Sequence, residues 1–343
     1  MRTIRLWSIG LKNPFDEYSP FSFRREKRTI DILLQREGVN GASEGSEPQG
    51  RYVGMPEIVY NLLFLFVNGL IWGFIIALIG LGLCLIFGVM GIVNMAHGDL
   101  YMLGAVLAYY VVTRFGNFWL SLVLIPVVIV LMAAPTERFV LRAYEGDHPT
   151  TMIATVGISF IIQQIALATY GGIPKKIMNP WPVSFDMFDV DYPGYRLLVA
   201  FISILILVGL WLFLYKTSYG VSVRACMQDR EMASAMGIDV NKVLITTFVI
   251  GSVLAAVGGV LAAPINQVSY LMGNDVIMVC YIVVIVGGMG SLEGTLIAAL
   301  VLCSLEGMAA YFLSPAKARA VIFMVMILVL IRRPQGLFGM TQR

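Results

Sequence analysis

Charge is scarce in this chain. Only 13% of its 343 residues are Asp, Glu, Lys or Arg, against roughly 25% in an ordinary soluble domain, and that shortage excludes an all-soluble protein. Histidine occurs twice, and neither His97 nor His148 has neighbouring ligands at a usable spacing, so no metal site is expected. The four cysteines, Cys84, Cys226, Cys280 and Cys303, lie far apart, and three of them fall in apolar spans. They suggest neither a disulfide framework nor metal-ligand spacing and read as small core residues. Strand-type alternation is absent, as are a Ser-His-Asp order, paired carboxylates in a soluble stretch and a nucleic-acid signature. Catalysis within the chain and a bound cofactor are therefore not expected, and the net charge of +3 decides nothing about partners.

What is present is apolar sequence in blocks. Hydrophobic residues make up 58% of the chain, in runs of about 17 to 25 uncharged residues, the length that carries a helix across about 30 Å of hydrocarbon. Every backbone group in lipid must be paired internally, so the blocks predict an all-α polytopic bundle. A clean helix is expected near 58–80, followed by an interrupted segment over 80–98, where GVMGIVNMAHGD gathers helix breakers and polar groups. Further spans are expected near 100–113, 118–134, 151–170, 196–215, 242–262, 273–289, 295–313 and 319–331, eight or nine in all.

Residues 1–54 differ in kind, with RREKR at Arg24–Arg28 and the low-complexity GASEGSEPQG at Gly41–Gly50. They read as a disordered polar tail without the apolar core of a signal peptide. Met55 stands just before the first apolar run, which suggests a biological start there, with the tail an upstream over-read. The competing reading is a basic tail on anionic lipid, weakened because seven acidic residues offset nine basic ones. Residues 55–343 then form the membrane domain, with one long polar loop over 216–241.

Arginines flanking span ends favour the cytoplasm. Arg332 and Arg333 place the C-terminus inside, and counting back puts the 135–150 and 216–241 loops inside too, in agreement with Arg138, Arg142, Lys216, Arg224 and Arg230. Lys175, Lys176, Lys317 and Arg319 then fall outside, with a loop near 171–195 that carries Asp186, Asp189 and Asp191. The side of the N-terminus is left open. Small residues recur four apart at Gly69, Gly73 and Ala77 and at Gly251, Ala255 and Gly259, which permits close backbone approach either within the bundle or in a dimer.

The stretch RACMQDREMASAMGI, Arg224–Ile238, is the most polar passage between two apolar spans. Burying its charges in hydrocarbon would cost about 2.5 kcal/mol for each, so it lies at the surface. Asp229 suits an N-cap, Glu231 the first turn and Gly237 a left-handed stop, which defines a helix over Arg230–Met236. Two turns are unstable alone in water. Met232, Ala235 and Met236 share a face that either fits a groove on another protein or packs on the chain's own spans.

Other polar groups stand inside apolar sequence. In NMAHGD, Asp99 is expected to cap a helix beginning at Leu100, while Asn94 and His97 either line a solute path at a broken helix or serve only as caps. Glu306 lies inside a span and is the most costly residue there, able to hydrogen-bond across helices or carry a proton, and with Asn94, His97 and Asp99 it is a candidate for the translocation path. Asp275 reads as a cap. GGMGSLEGT lacks the Lys-Ser/Thr ending of a phosphate loop and reads as a tight turn with Glu293 beside the membrane.

Glu231, Ala233 and Gly237 match a loose E-x-A-x-x-x-G form of the cytoplasmic loop of ATP-binding-cassette importer permeases. Together with GLIWGFIIALIGLGLCLIFGVMGIVNMAHGDLYMLGA (Gly69–Ala105), TFVIGSVLAAVGGVLAA (Thr247–Ala263), VGGMGSLEGT (Val286–Thr295) and RPQGLFG (Arg333–Gly339), the chain resembles the branched-chain amino acid permeases of the LivH type over about 58–339. The resemblance implies a bacterial inner-membrane subunit, a second similar permease, two ATPase subunits and an external solute-binding protein. It also implies a coupling helix, built from Arg224, Asp229, Arg230, Glu231, Ala233 and Gly237, that seats in a cleft of the ATPase. Aliphatic amino acids are the implied solute, with urea, amides or small aromatic acids as alternatives. A proton-coupled transporter using Glu306 and a membrane scaffold without a path are the rivals from other classes.

Overall fold

The computed structural model describes residues 57–144, 146–187 and 190–339. The expectations for residues 1–54, including the start at Met55, lie outside the described residues, as does Asp189. The membrane unit is all-α apart from one hairpin.

Helix α1 runs unbroken over Glu57–Met90, 34 residues and about 51 Å at 1.5 Å per residue. The expected break from 80 onward is thus corrected. Gly80, Gly82 and Gly88 stay helical because neighbours fill the space that missing side chains leave: the Thr295 and Val283 side chains at Gly80, the Gly251 backbone at Gly82 and the Met227 side chain at Gly88. The chain turns instead at Gly91, where φ is +69°, and residues 91–96 form a short non-helical link. Helices α2 (His97–Phe115) and α3 (Phe118–Pro135) follow, then a π-helical turn (Thr136–Leu141) and a 3-10 turn (Arg142–Tyr144). Helix α4 (His148–Tyr170) is capped by the Asp147 side chain, which accepts from the Thr150 N–H. An antiparallel hairpin of β1 (Ser184–Met187) and β2 (Val190–Pro193) pairs Ser184 with Pro193 and leads into α5 (Gly194–Lys216).

The 216–241 loop holds two helices, α6 (Ser218–Gln228) and α7 (Arg230–Ala235), before α8 (Val240–Ala262). Three more complete the bundle: α9 (Met272–Gly287), α10 (Leu292–Phe312) and α11 (Pro315–Arg332). Among the described residues, six helices are long and apolar enough to cross a membrane: α1, α3 with its π-helical extension, α4, α5, α8 and α10. α9 is apolar but only 16 residues long, and α2 and α11 carry more polar sequence, so six helices are clear spans against the eight or nine expected.

Helices α1 and α8 form the centre, with Ile75, Ile76, Leu78, Ala255, Val260 and Leu261 fully buried. Helices α3, α4 and α5 turn large residues outward, among them Leu131, Ile153, Phe160, Phe201 and Leu205. Glycine sets the distance between the central helices. A Cβ on Gly69 would meet the Cys303 carbonyl of α10 at 2.6 Å, one on Gly73 the Ala299 carbonyl at 3.2 Å, and one on Gly259 the Tyr101 carbonyl of α2 at 2.0 Å. With Ala77 and Ala255 also buried, both small-residue rows serve packing inside this chain. Lipid tails are as apolar as leucine, so such close approach, rather than exclusion of water, holds the helices together.

The two ends of the bundle differ. At one end, a Cβ on Gly88 would touch Met227 and Gly290, Arg142 reaches the Asn241 carbonyl at 3.2 Å, and the Tyr215 hydroxyl lies 3.3 Å from Glu293. The C-terminal segment belongs to the same end: the Leu337 and Phe338 N–H groups donate to the Val286 and Gly287 carbonyls at 2.8 and 3.1 Å. At the other end the hairpin docks on α1, where Tyr192 donates to Asn68 at 2.7 Å and meets Phe64 edge-on. The start of α1, which the sequence left unplaced, is therefore at the end opposite α7.

Candidate functional site

Helix α7 folds as its residue types require. The Asp229 carboxylate accepts from the Met232 N–H at 2.9 Å, an N-cap that uses one of the four donors a helix start leaves free. At the far end Gly237 takes φ +85°. Its N–H donates to Ser234 and that of Ile238 to Ala233, at 3.0 and 3.1 Å, the paired bonds of a Schellman stop. Ala233 is buried and is the residue by which the rod rests on the bundle. Met232 and Met236 are 61% and 78% exposed, and Ala235 is also exposed. The face picked out from the sequence thus points away from the chain's own spans and presents two adaptable thioethers to the surroundings.

Arg224 is not on this rod. It stands on α6, where its guanidinium donates to the Leu214 carbonyl at the end of α5 and lies 4.7 Å from the centre of the Tyr215 ring. Its role is to tie α6 back to the preceding span; α6 is not among the helices expected from the sequence, although Gly220, Val223 and Cys226 recur every three residues and are the ones buried. Arg230 opens α7 above a charged floor. Arg142 reaches the buried Glu137 at 3.3 Å, and partial burial followed by the nearby Arg142 pushes the Arg230 guanidinium below the usual arginine range, with Glu137 opposing. Glu137 stands on the π-helical turn. The sequence used Arg138 and Arg142 only as markers of sidedness and missed this carboxylate.

The second group lies deep in the bundle. Asn94, His97 and Asp99 are all at most 2% exposed. Helix α2 begins at His97, with Ala96 at its N-cap position and no side-chain cap, so the expectation that Asp99 caps a helix starting at Leu100 is corrected. The Asn94 side chain accepts from the Ala96 N–H at 3.1 Å and shapes the turn. His97 Nε2 lies 3.0 Å from the Ile79 carbonyl; a carbonyl only accepts, so Nε2 carries the proton. Asp99 Oδ1 lies 3.0 Å from Gln163 Nε2, which also has Ser159 Oγ and Asn274 Oδ1 at 3.1 Å. One amide thus shares two N–H groups among three acceptors from α2, α4 and α9. The hydroxyl of Thr155 joins the same stripe, accepting from Met95 N at 3.2 Å.

Thr155, Ser159 and Gln163 recur every four residues on α4, one face of a helix. That spacing inside an apolar run was a readable signal, and sequence reasoning missed it. Asn94 and Thr155 also border a small cavity of about 30 Å³, room for a water or two. Glu306 is not with these residues. It lies near the end of α10, with Arg319 Nε at 3.5 Å, so the ion pair offsets the cost that drew attention to it. Asp275 is likewise no cap but the other partner of Arg319, at 3.3 Å.

The turn between α9 and α10 answers for the glycine motif. Gly288, with φ +107°, lies so close to the C-terminal segment that a Cβ would come within 2.4 Å of the Gly339 nitrogen. VGGMGSLEGT and RPQGLFG, separate in sequence, are one structure. Residues 65–330 match the model of a family described as the permease component of a branched-chain amino acid transport system. The chain belongs to this family. A high-affinity branched-chain amino acid transport system permease protein, BraD of Pseudomonas aeruginosa, is 30% identical over 305 residues, 83% of this permease and 98% of BraD. LivH of Escherichia coli K12, a protein of the same description, is 28% identical, covering 82% of this permease and 97% of its own length. LivM of the same organism, also so described, is 25% identical over 77% of this permease and 68% of its own length.

Proposed function

We propose that the permease is one of two membrane subunits of an ATP-driven importer for branched-chain amino acids in the bacterial inner membrane, with α7 as the part that receives work from an ATPase subunit. The observation that carries this reading is the exposed Met232 and Met236 face on a rod fixed at both ends by its cap and stop. So short a helix has no use for two exposed methionines unless another surface covers them. The end that carries α7 also carries Arg332 and Arg333, so the C-terminus is cytoplasmic in this reading. An external binding protein would deliver solute at the hairpin end, and a related permease, of the kind that LivM is to LivH, would complete the membrane pair. Binding of ATP would stabilise one of two arrangements of the helices through α7, shifting their populations by its differential contact with each. Asn94, His97 and Asp99 would line or gate the path, and their burial suits a closed state.

The test is cross-linking from Met232→Cys in the intact complex, since the four native cysteines are all buried. A product that joins this permease to an ATPase subunit, and whose formation stops ATP-driven leucine uptake, is the expected result. A protein that takes up leucine with ATP yet never cross-links from Met232→Cys or Met236→Cys would overturn the role of α7.

A further inference from the structure

At the end of the bundle opposite α7, a cavity of about 350 Å³ opens between α1, α2, α9 and α11. That volume is within the range of roughly 300–1,000 Å³ for small-molecule sites. Trp72 and Ile76 of α1 and Val276 of α9 give it an apolar wall, and Tyr101, Asp275 and Arg319 line it with polar groups. Neither the family resemblance nor the relatives' names assign any role to these residues.

We propose that this cavity is a subsite of the permease for the transported solute, and that it takes an α-amino acid as the zwitterion with its aliphatic side chain against Trp72, Ile76 and Val276. The inference rests on the importer reading above and names what that reading leaves open, where in the membrane subunit the solute is held. Arg319 lies 3.3 Å from Asp275 and, on its other side, 3.5 Å from Glu306. The side chains of Arg319 and Asp275 are 42% and 76% exposed, so their pairing is open rather than enclosed and costs little to part. A zwitterion replaces it one for one: its carboxylate meets the guanidinium, which presents a fork that fits it, and its ammonium meets Asp275. Glu306 holds Arg319 in place through the exchange. With one cation between two carboxylates the site is formally anionic, which disfavours a carboxylic acid without an amine. Urea and simple amides carry neither charge and gain nothing from the pair.

Gln267 is exposed at the cavity, and Gln267→Cys gives a lone reactive thiol, because Cys84, Cys226, Cys280 and Cys303 are buried. In the intact permease–ATPase complex in nanodiscs, without the external binding protein, leucine should slow labelling of that thiol by a small methanethiosulfonate. Neither 4-methylpentanoate, which lacks the ammonium, nor isoamylamine, which lacks the carboxylate, should do so. Asp275→Asn, at an exposed position that leaves folding unaffected, should raise the protecting leucine concentration about tenfold. Labelling that leucine does not slow, or protection equal in Asp275→Asn, overturns the subsite while ATP-driven leucine uptake stands. Absence of leucine uptake by the parent complex overturns the importer reading, and this inference with it.

Discussion

Gly82 of α1 and Gly251 of α8 meet backbone to backbone, and a Cβ built on either falls 2.6 Å from the other's carbonyl oxygen. A carbonyl in a helix has no room to retreat, so even one methyl must push the two central helices apart. Overpacking of this kind costs about 1–3 kcal/mol. Gly251→Ala should therefore lower survival of the monodisperse protein in a heat challenge read by size-exclusion chromatography, and Gly251→Val should lower it further. Gly157 of α4, where a Cβ would meet nothing within 4 Å, is the internal control, and Gly157→Ala should leave survival in the same challenge unchanged or raise it, because alanine is the better helix former.

The rod α7 gives a second outcome. Asp229→Ala removes a cap worth about 1 kcal/mol, enough to lower the population of the undocked folded rod roughly fivefold. Gly237→Pro is harsher, because proline cannot adopt a φ of +85°. Glu231→Arg reverses a charge in the first turn of an exposed rod. All three should leave membrane insertion intact and depress uptake more than ATP hydrolysis, measured side by side in proteoliposomes. Unchanged uptake in all three would remove α7 from the coupling path.

Asp99 and Gln163 give a third. Gln163→Leu strips a buried carboxyl of one of its two donors, the other being Ser159, and should cost about 1–3 kcal/mol. If the two act as a pair, the loss in Asp99→Leu/Gln163→Leu should be smaller than the sum of the single losses, a coupling readable from a double-mutant cycle of melting points. Strict additivity would show that the two side chains do not depend on each other.

Acid should act on the helix starts at the α7 end. Asp147 and Asp239 cap α4 and α8. Both carboxyls are held below their ordinary 3.8, Asp147 chiefly by the Thr150 side chain and Asp239 chiefly by that of Lys242. A carboxyl depressed in the folded state contributes stability that is fully present above the unfolded value and is lost as pH falls through the folded one. Hydrogen exchange at Thr150 and Lys242 should therefore accelerate as pH drops below about 4, after correction for intrinsic rates, and Asp147→Asn should abolish the change at Thr150 alone.

Much of this was legible in the chain itself. Uncharged blocks about 20 residues long leave the backbone only helices, so the fold class followed from composition. The ends of α7 followed from Asp229 and Gly237, because a cap and a stop are local chemistry that needs no distant partner. The same locality misled the reading at Asp99 and Asp275, which have the residue type and position of caps but are claimed by Gln163 and Arg319 from other helices. Glu306 looked costly for the same reason, since Arg319, its partner, is 13 residues away across a helix–helix turn.

What the sequence determined by itself is therefore the spanning material, the surface helix and the family. Each depends on periodicity, capping or motif within a short stretch. Tertiary structure alone decided that α1 continues past Gly80 to Met90, because the space at its glycines is filled by Thr295 and Val283 at Gly80, by the α8 backbone at Gly82 and by Met227 of α6 at Gly88. It alone brought α2, α4 and α9 to one amide at Gln163 and closed Gly288 against Gly339. Which distant groups occupy the space around a small or polar residue is a property of the packed bundle, and no local pattern encodes it.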